Sequence, residues 1–217
     1  MTITLYNVAV SSYGAKVRII LRHKSLDWTD ILPPDGYGSD AYRQIVPAGT
    51  VPAIIHDRLT LADSEAIAEY LDERFPSPAM MPEDIMARAR ARELSRFHDT
   101  RLEPILRSCF GQVAPDGRDP VFIAETARLL QSRLDQLGII AHPSPLLTGA
   151  GLAIADCGFV ASFAILDLLK ECLDLPVTMP DRLADYAAAL VAHPSVADEN
   201  ARYRTALRDW AAAKGAL

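Results

Sequence analysis

A small α/β unit followed by an all-α helical bundle is the architecture this sequence predicts, on three observations. Strand-like and helix-like stretches alternate over roughly the first 75 residues. A segment with three prolines, Pro76 to Asp84, then breaks the pattern. Beyond it helical periodicity continues with no convincing strand. The units read from this pattern are 1–77 and 85–217, joined by a linker at 78–84.

Each element has a local reason. "TITLYNV" alternates Ile3 and Leu5 with Thr2, Thr4 and Tyr6 and reads as a strand. "GAKVRIILRHK" carries Val17, Ile20, Leu21 and Lys24 at helical spacing. "DWTDILPP" is a short strand stopped by Pro33 and Pro34. The turn-rich stretch after it has room for one short helix at Ser39 to Ile45. "VPAIIHDRLTLA" reads as two short strands around a turn at Asp57-Arg58. "DSEAIAEYLDERF" then places Ile67, Tyr70 and Leu71 on one helical face. The order β-α-β-α-β-β-α, two parallel strands joined by a helix and then a hairpin and a closing helix, is that of a thioredoxin-like unit.

In the second half, Ile123, Ala127, Leu130, Leu134 and Leu137 form an amphipathic stripe that the sequence ends at Gly138. "DRLADYAAALVAHP" repeats the logic with Leu183, Tyr186, Ala187, Leu190 and Val191, and Pro194 stops it. "GLAIADCGFVASFAILDLLKECL" is apolar nearly all round, as suits the central helix of a bundle.

Composition narrows the function classes. The net charge of −6 argues against a nucleic-acid partner, which needs a basic face. Arg88, Arg90 and Arg92 alternate along one helix and so spread around it as a solvated surface. No apolar run approaches the roughly 18 residues needed to span a bilayer, so no membrane partner is expected. "MTITLYNVAV" lacks the charged and cleavable parts of a signal peptide, and the expected location is the cytoplasm. Cys109, Cys157 and Cys172 are far apart and form no CxxC pair, which argues against disulfides and against thiol-redox chemistry by the chain itself. No His, Cys, Asp or Glu cluster has metal-ligand spacing.

Three stretches of the first unit bear on chemistry. "VSSYGAKVRIIL" runs from a strand end through Ser11, Ser12 and Gly14 into a helix, where free N–H groups favour an anion. "GTVPAI" puts Pro52 at the head of a strand after Val51, which suggests a cis bond and a backbone edge open to an extended ligand. "LADSEAI" opens a helix with Asp63 and Ser64, suited to an ammonium or a carboxylate. Each also has a purely structural reading: the serines and Asp63-Ser64 as helix caps, Pro52 as a strand-entry proline.

Taken together, "SSYGAKVRIIL", "VPAGTVPAI" and "LADSEAIAEYLDERFP", followed by an all-α half, resemble the cytosolic glutathione S-transferases along essentially the whole chain. The resemblance implies a homodimer, glutathione as co-substrate, no metal, and an active site between the two domains. The family's thiol-activating residue lies seven positions before the basic residue of the "VR" pair. Arg18 is that residue, so the match falls on Ser11, a serine as in the theta, zeta, phi and tau classes. Val51 matches the residue whose backbone pairs with the cysteinyl unit of glutathione, by strand addition. Pro52 matches the cis-proline, and Asp63 with Ser64 the pair that holds the γ-glutamyl group. Tyr13 and Thr50 complete the expected glutathione-binding set; Tyr13 stands where the zeta class carries cysteine, and Thr50 where relatives carry Lys or Gln. For the electrophile the resemblance points to "RFHDTRLEPILRSCF" as the wall, where Arg101, Arg107 and Phe110 are candidates for an anionic or aromatic substrate and equally for ordinary interface or surface roles; His98 itself reads as a surface or dimer-contact residue. Asp156 matches a structural aspartate of the central helix, and Ala153 stands where a Ser or Thr cap is usual. The implied activity is transfer of the glutathione thiolate to small electrophiles. A glutathione-dependent isomerase of the maleylacetoacetate type and a non-catalytic binding protein are the alternatives.

Overall fold

The computed structural model describes residues 2–217; Met1, the first residue of the N-terminal unit read from the sequence, lies outside them. The chain runs β1 (Ile3–Tyr6), α1 (Ser12–His23), β2 (Trp28–Ile31), α2 (Asp40–Arg43), β3 (Ala53–His56), β4 (Leu59–Ala62) and α3 (Ser64–Arg74). The strands form one sheet in the order β2-β1-β3-β4, with β1 parallel to β2 and antiparallel to β3, and β3 antiparallel to β4. This is the thioredoxin-like sheet that the element order predicts.

The helical half follows as α4 (Ile85–Phe97), a π-turn (His98–Leu102), α5 (Glu103–Ser108), two 3₁₀ turns, α6 (Pro120–Ile140), α7 (Ile154–Leu173), α8 (Asp181–Ala192) and α9 (Pro194–Ala212). Helix α7 is buried along nearly its whole circumference, the central position its composition predicts. Helix α1 joins the halves: it packs on α3 of its own unit and on α7 and α9 of the other. Its Val17, Ile20 and Leu21 are fully buried, as their spacing predicts.

Lys24, read among those apolar positions, is buried for a different reason. Its ammonium bonds Asp72 Oδ1 (2.7 Å) and the carbonyls of Phe75 (2.7 Å) and Pro78 (2.8 Å), pinning the linker to α1. Helix α6 continues through Gly138 to Ile140 instead of stopping there. The glycine lies inside the helix, and a Cβ there would make only an ordinary contact with the Pro180 ring, at 3.5 Å.

Gly14, which interrupts the apolar run before α1, has a packing reason too. A Cβ there would fall 2.1 Å from the amide of buried Asn7 at the end of β1. No helix among the described residues is long and apolar enough to cross a membrane.

Candidate functional site

A cleft of about 350 Å³ opens between the two units, lined by Tyr13, Thr50, Val51, Pro52, Asp63 and Ser64 from the first and Arg96, Asp99 and Arg107 from the second. That volume is within the usual range for small-molecule sites, about 300–1,000 Å³.

The first-unit wall is built by two devices. Tyr42, buried on α2, donates its hydroxyl to the Thr50 carbonyl at 3.0 Å and so fixes the approach to β3. The Val51-Pro52 peptide is cis. Among the described residues no turn or loop hydrogen bond engages the Val51 N–H or C=O. Asp63 then caps α3, its Oδ1 accepting from Glu65 N–H (2.9 Å) and Ala66 N–H (3.0 Å). It does so at φ 78°, a conformation that costs a non-glycine residue about 1–3 kcal/mol and that clusters at functional sites. Ser64, the next residue, is buried yet reaches the cleft.

The start of α1 meets the cleft at Tyr13. Ser11 is the N-cap: its Oγ accepts from Gly14 N–H at 3.0 Å, one of the unpaired donors of the first helical turn. Ser12 Oγ instead donates to Glu103 Oε1 at 2.6 Å. The loop is held from two sides, by Tyr203 donating to the Val10 carbonyl (3.2 Å) and Tyr13 donating to the Asp99 carbonyl (3.0 Å).

The Asp99 carbonyl is available because of Pro104. In the π-turn the Glu103 N–H bonds the His98 carbonyl, five residues back. Continuing that register would pair the Asp99 carbonyl with residue 104, and proline has no N–H. The Tyr13 hydroxyl supplies the missing donor. Burial and then the nearby Glu103 charge push the Tyr13 phenol well up, so it stays a neutral donor.

Behind the cleft lies a buried ionic cluster. Lys16, fully buried, bonds Glu65, Asp99 (3.1 Å) and Ser95 (3.4 Å). Burial opposes its charge, but Asp99 and Glu65 outweigh burial and raise it. His98 bridges Asp99 Oδ1 (2.7 Å) and Ser162 Oγ (2.8 Å) at 1% exposure. The surface role expected for His98 is therefore corrected. The imidazole sits in space that Gly158 of α7 leaves open, where a Cβ would come within 2.5 Å of the ring.

Of the residues predicted for a second substrate, the cleft receives Arg107 but neither Arg101 nor Phe110. Arg101 is exposed on the π-turn, and Phe110 packs on Trp210 of α9 with ring centroids 4.9 Å apart. Arg107 pairs with Glu103 and lies over the Tyr13 ring at 5.1 Å. Ser11 is buried and is not among the residues that line the cleft; of the start of α1 only Tyr13, two residues on, reaches it. Sequence reasoning missed Arg96, Asp99, Glu103 and Lys16. Two pairs carried a local signal, opposite charges at helical spacing: Glu103–Arg107, four apart, and Arg96–Asp99, three apart.

The chain's own thiols are placed away from this chemistry. All three cysteines are free and buried, and burial pushes Cys109 up to about 11 and raises Cys157 and Cys172. Among the described residues no group of three or more His, Cys, Asp or Glu can hold a metal ion.

Residues 5–79 match the family described as the glutathione S-transferase N-terminal domain. The chain is 40% identical over 89 residues to glutathione S-transferase Z1 of Arabidopsis thaliana, a stretch covering 39% of this chain and 40% of that protein. It is 36% identical over 108 residues to probable maleylacetoacetate isomerase 1 of Drosophila melanogaster, covering 46% and 44%. Both alignments thus span less than half of the relative. A stringent starvation protein A homolog of Pasteurella multocida is 30% identical over 158 residues, covering 71% and 70%. Among solved structures, a glutathione transferase homolog from Burkholderia gl BGR1 with bound glutathione superposes at a TM-score of 0.65, with 26% identity over 95% of this chain and 100% of that one.

Proposed function

The chain belongs to the glutathione S-transferase family, and from that premise we propose that it binds glutathione in the interdomain cleft and transfers its thiolate to small electrophiles. The observation that carries this reading is the convergence in one cleft of the open Val51-Pro52 edge with Asp63 and Ser64 at the N-terminus of α3. The edge suits the cysteinyl backbone by strand addition. The Asp63 carboxylate suits the γ-glutamyl ammonium, and the helix N-terminus its carboxylate.

Ser11 is assigned to the thiol. A free thiol of pKa about 8.5 is a few per cent thiolate at neutral pH. Lowering that by about two units takes roughly 2.7 kcal/mol of preferential thiolate stabilisation. A donated hydroxyl together with a helix N-terminus is of that order. In the chain the Ser11 hydroxyl only accepts, so its proton is free to be donated, whereas the Ser12 proton is committed to Glu103. Glutathione supplies the nucleophile and Ser11 a hydrogen bond to it. On the same reading we propose a cytoplasmic homodimer.

A second reading, glutathione-dependent isomerisation of a maleylacetoacetate-like acid, draws on the similarity to the Drosophila protein. Titration calorimetry with glutathione tests both: no heat of binding at millimolar glutathione overturns both and leaves a non-catalytic fold. Turnover of aryl halides against maleylacetoacetate then separates transfer from isomerisation. Ser11→Ala is expected to lower turnover strongly and Ser12→Ala much less. Equal losses, or loss in Ser12→Ala alone, would overturn the assignment of Ser11.

A further inference from the structure

Ser11 and Ser12 stand side by side at the start of α1, yet the chain gives their protons different fates. Ser12 donates to Glu103 Oε1 at 2.6 Å, out of solvent. Ser11 accepts from Gly14 N–H and donates to nothing among the described residues. Glu103 reaches this point from α5 with 1% exposure. Its counter-ion is Arg107, one helical turn on, which also donates to Ser12 Oγ at 3.3 Å and lines the cleft. A hydroxyl donated to a carboxylate is roughly twice as strong a bond as one between neutral groups, so Ser12 is held firmly.

We propose that Glu103 is a positioning residue for thiol activation: it takes the Ser12 proton and leaves Ser11 as the donor, while Arg107 cancels the negative charge that a buried carboxylate would set against a thiolate. The proposal rests on the glutathione reading above. The remaining titratable groups that face Glu103 are Tyr13 on α1 and Tyr203 on α9. Burial, and then Glu103 itself, push both phenols well up, so neither adds charge and Arg107 supplies the compensation.

The test reads the thiol of bound glutathione by its ultraviolet thiolate absorbance as pH is raised. Ser11→Ala is expected to raise that thiol's pKa by about one unit or more, a tenfold loss of thiolate at neutral pH. Adding Glu103→Gln, which keeps the shape but weakens the acceptor, frees the Ser12 hydroxyl. Ser11→Ala/Glu103→Gln is expected to recover at least about threefold of the lost thiolate and turnover. The recovery must vanish when Ser12→Ala is added as a third change. A double variant no better than Ser11→Ala, or a recovery that survives Ser12→Ala, overturns the proposal. Where Glu103→Gln does not fold, Arg107→Met serves. It leaves the Glu103 charge uncompensated and is expected to raise the thiol's pKa about tenfold in proton affinity; an unchanged pKa overturns the role given to the pair. Glutathione binding is measured by calorimetry on every variant. Absence of binding in the unaltered chain overturns the glutathione reading itself, a different result from bound glutathione whose thiol ignores Glu103.

Discussion

Asp99, half-buried at the edge of the cleft, and Asp156, fully buried, are both carboxylates of the helical half, and they titrate in opposite directions. Burial alone would raise each. At Asp99, beside the cleft, the hydrogen bond from His98 and the charge of Lys16 outweigh burial and hold the carboxyl below its ordinary value. At Asp156, near the start of α7, the partners are dipoles only: Ala153 N–H (2.8 Å), Leu147 N–H (3.1 Å) and Tyr186 O–H (2.9 Å). Burial wins there, and the carboxyl is pushed up to about 6. Three good hydrogen bonds do less for a buried carboxylate than a facing ammonium and an imidazole bond. The interdomain seam is thus ionic, and the α7 anchor is polar without a counter-ion.

The largest expected effect breaks the ionic side of this comparison. Lys16→Met removes the only buried cation of the cluster among the described residues, leaving Glu65 without it and Asp99 with Arg96 at 3.3 Å and His98. Removing one partner of a buried ion pair costs about 3–5 kcal/mol, which at about 2–4 °C per kcal/mol for a chain of this size is a fall in Tm on the order of 10 °C. Thermal melts of the two proteins at neutral pH measure it, and a fall under about 2 °C would show that the seam does not depend on the ammonium.

The next effect turns on sign. Asp99 has a lowered pKa, so the stability it contributes is present above the unfolded value of 3.8 and is lost only as pH falls through its lower folded value. Asp156 is raised, so its contribution is fully present below 3.8 and is lost as pH rises through about 6. A shift of that size corresponds to about 3 kcal/mol. Of these two aspartates only Asp156 moves between those pH values; Glu199, raised by burial, and His23 and His193, lowered by burial, also titrate there, so the variant is read against the unaltered chain. Asp156→Asn is expected to lower stability at every pH, through the weaker acceptor, and to remove this downward slope. Denaturant unfolding at several pH values across the window checks it; parallel curves for variant and unaltered chain would mean that the three donors fully offset burial.

These contrasts mark what the sequence could and could not show. The strands and the apolar faces of α1, α6 and α8 follow from spacing between near neighbours, and the structure agrees there. So does the central place of α7. What was illegible depends on residues far apart in sequence. His98 looked like a surface residue because nothing local announces that Gly158, sixty positions on, leaves a space for it. Gly138 looked like a helix end because glycine is the usual residue just past one, yet α6 runs through it to Ile140. Helix α9 escaped notice although Val196, Tyr203, Leu207 and Ala211 bury one face, since charged residues crowd the intervals. In the cleft, the first-unit wall was readable from three short motifs. The second-unit wall of Arg96, Asp99 and Arg107 was read only at Arg107, because a π-turn sets the side chains that reach the cleft and a periodicity of 3.6 does not anticipate it.

The smallest effect tests the neutral bond that closes the seam between these two kinds of carboxylate environment. Tyr13→Phe removes the hydroxyl that satisfies the Asp99 carbonyl, which Pro104 leaves without a helical donor. An orphaned carbonyl at a site near solvent costs about 1 kcal/mol, a fall in Tm of about 2–4 °C. Turnover should fall less than in Ser11→Ala, because Tyr13 positions the loop and its proton is already given to Asp99. Measured side by side, the two variants decide which hydroxyl meets the thiol. If Tyr13→Phe abolishes turnover and Ser11→Ala does not, the phenol is the donor, and its bond to Asp99 must be given up whenever glutathione enters the cleft. A loss confined to KM, with kcat kept, would instead place Tyr13 among the contacts that hold glutathione and leave the thiol to Ser11.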